Sequence, residues 1–325
     1  MVKKFYNQVI NIETWRADER YDGIYSEGAR EKDIVFSPAD SGIEGIKSNW
    51  RYMFKLSRSL DWCPWQFWVE IIAYRLGCLI GIQVPPAFVG YTAKYKSSGP
   101  DTRVYGALIE WFYDETKDIF VHGGQFMVQL IEGYDRDKGE MHNFDSIAGV
   151  FENIPGFVEH WAGVFLLDTL IGNTDRHHDN WGIVFYKGRT KPKAINISFS
   201  PAFDNGTAME YGEQEINFDK YKDPKKLQKH LEDARFARHH MKWSLKEKSP
   251  LNFYQFVDKF VSKYPDSKSI IAKHLNFSHE QLEDIMIPLC DMITDSKFEL
   301  NKSRLNFMLD MMFHRKLLLE KQLKI

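Results

Sequence analysis

The sequence predicts an α+β fold in two lobes, a small β-rich one over residues 1–112 and a larger, mostly helical one over 113–325. Three observations carry that prediction. Short β-type runs separated by turn clusters fill the first third of the chain. Beyond residue 112 the apolar pattern becomes helical. The length, 325 residues, exceeds what one compact domain comfortably uses and is enough for two lobes around an interior cleft.

In the first lobe, 33–36 (DIVF) and 51–56 (RYMFKL) read as strands, separated by 37–45, a stretch full of Ser, Pro, Asp and Gly. Pro64 suits the first turn of a helix, and WQFWVEIIAYRLGCLIG is apolar on nearly every face until Gly81, Pro85 and Pro86 stop it. Strands over 87–91 and 103–110 follow, with the polar loop 94–100 between them. In the second lobe, 158–171 (VEHWAGVFLLDTLI) is apolar almost throughout and reads as a buried helix. The runs 181–186 and 194–199, joined by KGRTKP, form a hairpin. From about residue 223 nearly everything has helical period. Ser278 and Gln281 make a capping box, and a last helix spans 303–323. Such a pair of lobes commonly holds a nucleotide between them.

Composition narrows the function classes. Lys and Arg number 43 against 45 Asp and Glu, a net charge of −2, which excludes a wholesale nucleic-acid coat. Apolar residues at 43% exclude a disordered chain. Cys63, Cys78 and Cys290 are too scattered for a disulfide framework or a zinc cluster and point to a reducing compartment. No apolar stretch of signal-peptide length opens the chain, and the longest apolar run, within 71–84, is broken by Arg75 and Gln83. The expectation is a cytoplasmic protein without a membrane partner. One segment departs from the overall balance. Residues 220–248 hold ten basic and four acidic residues. A solvated helical face is the plainer reading; an acidic partner, a tRNA-bearing substrate or operator DNA are the functional ones.

The chemistry concentrates in IGNTDRHHDNWGIVF (171–185) and SPAFDNG (200–206). Phosphoryl transfer needs a carboxylate to orient or deprotonate the acceptor hydroxyl, and oxygen ligands to hold Mg²⁺ on the phosphates of ATP. Protein kinases supply these as an Asp, an Asn five residues on, a hairpin, and then Asp-x-Gly. Asp175, Asn180, the hairpin and Asp204-Asn205-Gly206 repeat that order. The hairpin takes the chain out and back, so both metal ligands face one cleft. Each of these residues alone is an ordinary turn or cap residue; their joint spacing carries the reading. His177 and His178 are adjacent and expected to point different ways, which argues against zinc and for one of them bracing the loop. Lys55 lies on a strand where a phosphate-binding lysine belongs, and Glu70 on the next helix is placed to pair with it; an edge-strand lysine and a solvated glutamate are the plain alternatives. Residues 26–32 offer one glycine to a phosphate loop, and an ordinary hairpin turn there looks the same. Glu110, Trp111 and Phe112 sit at the lobe junction, as an adenine-reading hinge or simply a packed one.

These segments, together with GAREK (28–32), YMFK ending at Lys55, and IEWF (109–112), resemble the HipA-like serine/threonine protein kinases of toxin–antitoxin systems. The likeness runs in order from about residue 25 to 210 and matches the short members of that family. It implies a protein-kinase-like fold and an ATP- and Mg²⁺-dependent kinase acting on a Ser or Thr of a protein, such as an aminoacyl-tRNA synthetase. By the resemblance Asp175 is the catalytic base, and Asn180 and Asp204 are the metal ligands. Lys55 binds phosphates with Glu70 steering it, Gly28, Ala29, Arg30 and Lys32 belong to the phosphate loop, and Glu110, Trp111 and Phe112 to the hinge. Arg30 departs from the family, which usually has Gln there. Tyr25 stands where the family's loop serine does, with Ser26 one place off. The resemblance also implies an antitoxin partner, with DNA touched only indirectly, and by its exported members an effector acting in a host cell. Two alternatives remain open: a phosphoinositide-type lipid kinase, and a catalytically silent module that binds a partner or DNA.

Overall fold

A computed structural model describes residues 4–21, 30–93, 103–186 and 196–325. Gly28 and Ala29, the loop 94–100 and the turn KGRTKP lie outside the described residues. Within them the fold is α+β, with a six-stranded sheet ahead of a mostly helical lobe.

The sheet comprises β1 (Val9–Asn11), β2 (Arg16–Ala17), β3 (Lys32–Phe36), β4 (Arg51–Lys55), β5 (Ala87–Thr92) and β6 (Val104–Glu110), in the order β1-β5-β6-β4-β3-β2. Only the β1–β5 pair is parallel. Strand alternation decides which residues meet the cleft. Tyr52 and Phe54 turn to one core with Phe88 and Leu108. Met53 and Lys55 turn the other way, opposite Ile109 and Ala107, and form the roof of the cleft.

Helix α1 (Trp68–Ile80) covers that second face, packing with Ala87, Val89 and Ala107. It is buried along most of its length because it is apolar on every side. It ends at Gly81, whose φ of 76° is a left-handed cap that L side chains resist. Its start differs from the expectation at Pro64. Ser57 Oγ donates to the Pro64 carbonyl and accepts from the Phe67 N–H, and Trp68 N–H reaches only to Trp65, so regular helix begins at Trp68.

A second sheet, β7 (Asp118–His122), β8 (Gly182–Tyr186) and β9 (Ile197–Phe199), opens the helical lobe. Helices α2 (Gly123–Leu130) and α3 (Phe144–Phe151) lead to the central α4 (Phe157–Ile171). α4 is almost wholly buried, against α6 (Phe253–Lys263), α7 (Ser267–His274) and α9 (Lys302–Leu323). Each fully buried Leu or Phe there contributes about 1.5–3 kcal/mol relative to exposure. α5 (Pro224–Glu232) and α8 (His279–Met286) complete the lobe, and Ser278 with Gln281 forms the expected capping box on α8. The basic segment departs from the expected continuous helical period, because 233–252 is irregular. Lys242 and Trp243 carbonyls accept from Phe144 and Asp145, and Lys242 N–H donates to His142, so that backbone pairs with a distant segment rather than with its own turn.

Candidate active site

A cavity of about 540 Å³ lies between the roof strands and the helical lobe, and most of the residues singled out by sequence line it. Arg30, Lys32, Lys55, Glu110, Trp111 and Phe112 come to it from the sheet side. Asp175, Asn180 and Asp204 come from the helical side. Glu70 stands behind Lys55 rather than in the cavity wall.

Lys55, at the end of β4, is buried, and its ammonium donates to Glu70 Oε1 at 2.9 Å and to Asp204 Oδ1 at 2.5 Å. Glu70 is fixed in turn, its other oxygen accepting from the Asn205 N–H at 3.0 Å. Arg30 Nη2 donates to the same Asp204 oxygen at 3.0 Å and lies 3.5 Å from Glu70. Burial works against ionisation of Asp204, yet Lys55, Arg30 and Lys32 hold its carboxyl far below the usual carboxylate range. Asp204 itself has a left-handed backbone, φ 56°, uncommon for a residue with a side chain.

The segment that carries Asp175 leaves α4 at Gly172, again left-handed at φ 67°. Asn173 Oδ1 accepts from the Asp175 N–H, and Thr207 Oγ1 donates to Asp175 Oδ2 at 3.3 Å. Asn180 Nδ2 donates to the Asp175 carbonyl at 2.8 Å, so its amide is oriented with the nitrogen engaged and the oxygen left to accept a cation. Asn180 oxygen and the Asp204 carboxylate are hard donors of the kind Mg²⁺ takes alongside phosphate oxygens and water, and the two residues fit that ion.

Sequence reasoning did not find the residues that fix this geometry. Arg176, fully buried, makes a two-pronged ion pair with Asp168 at 2.7 and 3.0 Å and also bonds Asn205 Oδ1 and the Phe203 carbonyl. It thereby ties α4, the Asp175 segment and the Asp204 segment together. One signal was visible: Asp168 is a carboxylate within the apolar run VFLLDTLI that ends α4, and a buried carboxylate requires a partner.

At the lobe junction Phe112 stacks on Phe203 with ring centroids 5.3 Å apart, and Phe120 meets both edge-on. The Trp111 backbone is already engaged, its N–H donating to the Arg51 carbonyl and its carbonyl accepting from Trp50 Nε1. The Phe112 N–H has no partner among the described residues. Glu110 is paired with Lys47 at 2.7 Å.

The two adjacent histidines are closer in space than their spacing led us to expect. His177, His178 and Asp179 bring one ligand-type atom each within 4.8 Å of one another. Both Asp179 oxygens are engaged by Arg136, at 3.0 and 3.2 Å, so a guanidinium already balances that charge. His177 Nδ1 accepts from the Asp179 N–H at 3.2 Å and braces the loop.

No protein-family model matches the chain, and no curated protein matches it by sequence. Solved structures do. The Helicobacter pylori proinflammatory kinase CtkA aligns with a TM-score of 0.66 at 15% identity, over 95% of this chain and 94% of that one. HipA of Shewanella oneidensis, from a complex with HipB and operator DNA, aligns with a TM-score of 0.50 at 13% identity, over 94% of this chain and 71% of that one. At such identities the likeness is one of fold, and the fold of this chain is the two-lobed kinase type that CtkA and HipA share.

Proposed function

We propose that this chain is an ATP- and Mg²⁺-dependent serine/threonine protein kinase of the HipA-like kind, with its cleft between a lobe over 1–112 and one over 113–325. The observation that carries the proposal is the convergence on one cavity of Lys55, paired with Glu70, and of Asp175, Asn180 and Asp204. The triphosphate lies against Lys55 and Arg30, with the adenine beside Phe112. Asn180 and Asp204 would hold Mg²⁺, which when bound would supply charge neutralisation on the phosphates. The acceptor hydroxyl oxygen attacks the γ-phosphorus and its proton passes to the Asp175 carboxylate. The bond from that phosphorus to the bridging oxygen breaks, and ADP leaves with the electron pair. Thr207 and Asn173 act on the position of Asp175 and not on the phosphate.

A toxin role with an antitoxin partner, and a translation component as acceptor, extend this proposal from the sequence resemblance and from the HipA complex. Action inside the producing cell or as an exported effector fits the same chemistry. No helix among the described residues is long and apolar enough to cross a membrane.

Labelling with γ-³²P-ATP, offered in parallel with cell protein extract and with anionic lipid vesicles, tests the reading. Label in protein on Ser or Thr, lost in Asp204→Ala, is expected. Label in lipid alone, or in neither, overturns it.

A further inference from the structure

A larger cavity, about 830 Å³, opens on the other side of the Asp175 segment. Its size is within the range of about 300–1,000 Å³ usual for ligand sites. Thr207 lines both cavities and bonds Asp175, and Thr174 lines the larger one beside it. The two cavities thus meet at Thr207, whose hydroxyl is bonded to the Asp175 carboxylate.

The charges on its wall are uneven. Glu210 is paired with Arg315 and His230, Glu213 with Lys220, and Glu247 with Lys259. Of the cations, Arg235 is paired with Asp233 and Lys138 with Asp135. Arg238, Lys242 and Lys248 are exposed and have no acidic partner among the described residues. Against these three stands one similarly unpaired carboxylate, Glu140. The basic stretch 220–248 thus contributes three of its cations, Arg238, Lys242 and Lys248, to this cavity, on the irregular segment that the pairing with 142–145 holds in place.

We infer that the acceptor is a serine or threonine in an acidic peptide segment, whose Asp or Glu side chains are held by Arg238, Lys242 and Lys248. The inference rests on the kinase reading for the word acceptor, and on charge complementarity for the word acidic. A nucleic acid fits less well. A continuous run of phosphates would also lie against Glu140, Glu213 and Glu247, and a chain of net charge −2 offers no long-range field to draw a polyanion in. Separate carboxylates on a peptide can meet the cations and leave Glu213 and Glu247 to the pairs they already make.

The test uses the full chain with Mg²⁺ and a non-hydrolysable ATP analogue, and reads fluorescence anisotropy at low salt. The probes are a labelled peptide with one serine flanked by glutamates, its glutamine counterpart, and an oligouridine RNA. The glutamate peptide is expected to bind about tenfold or more tightly than the glutamine peptide, a difference of about 1.4 kcal/mol. The double substitution Arg238→Glu, Lys242→Glu, with an unchanged melting curve as its fold control, is expected to abolish that preference. Equal affinity for the two peptides, a preference that survives the charge reversal, or RNA outcompeting the acidic peptide overturns the inference. Calorimetric titration of the wild-type protein with ATP and Mg²⁺ separates the two failures. Nucleotide binding without an acidic-peptide preference refutes this inference alone; a peptide preference without nucleotide binding refutes the kinase reading instead.

Discussion

Arg176 shows how one buried side chain sets the chemistry of its neighbours. It lies between Asp168 on α4 and the segment that carries Asp204, where it bonds Asn205 Oδ1 and the Phe203 carbonyl. Removing one partner of a buried pair strands the other charge and costs about 3–5 kcal/mol. Arg176→Leu is therefore expected to lower the free energy of unfolding in urea by about that amount, and an unchanged urea midpoint would contradict this role. Asp175, Asn180 and Asp204 were legible in the sequence because their spacing along the chain is itself the signal. Asp168, Arg176, Asn173 and Asn205 were not, because what they do depends on side chains that meet only after folding. Arg30 stands between these cases. Its place after Gly28 and Ala29 was visible, but its bond to Asp204 spans 174 residues of chain.

The elements divide along the same line. The strands over 32–36 and 51–55, helix α4 and the α8 capping box follow from local period and local caps, and each lies within a few residues of its expected place. The Ser278 hydroxyl accepts from the Gln281 N–H at 3.1 Å, far in sequence from every residue of the cleft. Ser278→Ala is expected to cost about 1 kcal/mol of stability in denaturant unfolding, and a loss of under a few tenths would show the box to be without weight. Among the missed elements, the short strands are those that need a distant partner. β1 and β2 are three and two residues long and exist through pairing with β5 and β3. β7 begins with a buried aspartate and pairs with β8, more than fifty residues later. The irregular 233–252 stretch reads as helical in its composition and is held out of that form by its backbone pairing with 142–145.

Over the whole molecule, acid should destabilise the fold through histidines buried in the neutral state. His239, 5% exposed, lies among the rings of Phe165, Phe253 and Phe256, with Arg176 and Asp168 as the charged groups near it. Burial first and the Arg176 cation second push its pKa down to about 3. The unfolded chain takes up that proton near the ordinary value of about 6.5, so the stabilisation is complete above pH 6.5 and declines as pH falls toward 3. The decline is at most about 1.4 kcal/mol per pH unit for one histidine. Urea unfolding at pH 7 and pH 5 is expected to show this loss in the wild type and a smaller one in His239→Phe; equal losses would remove His239 from the account.

At the same scale, the claim that joins both lobes is that Mg²⁺-ATP in the cleft gives its γ-phosphate to a hydroxyl deprotonated by Asp175. The rate of phosphate transfer to protein acceptor, measured for wild type and Asp175→Asn across a range of ATP concentrations, tests it most directly. General-base catalysis is worth about 10²–10⁴ in rate, so kcat is expected to fall by that factor while the KM for ATP stays nearly unchanged. An Asp175→Asn protein that keeps the wild-type kcat would contradict the account, as would a wild-type protein that transfers no phosphate.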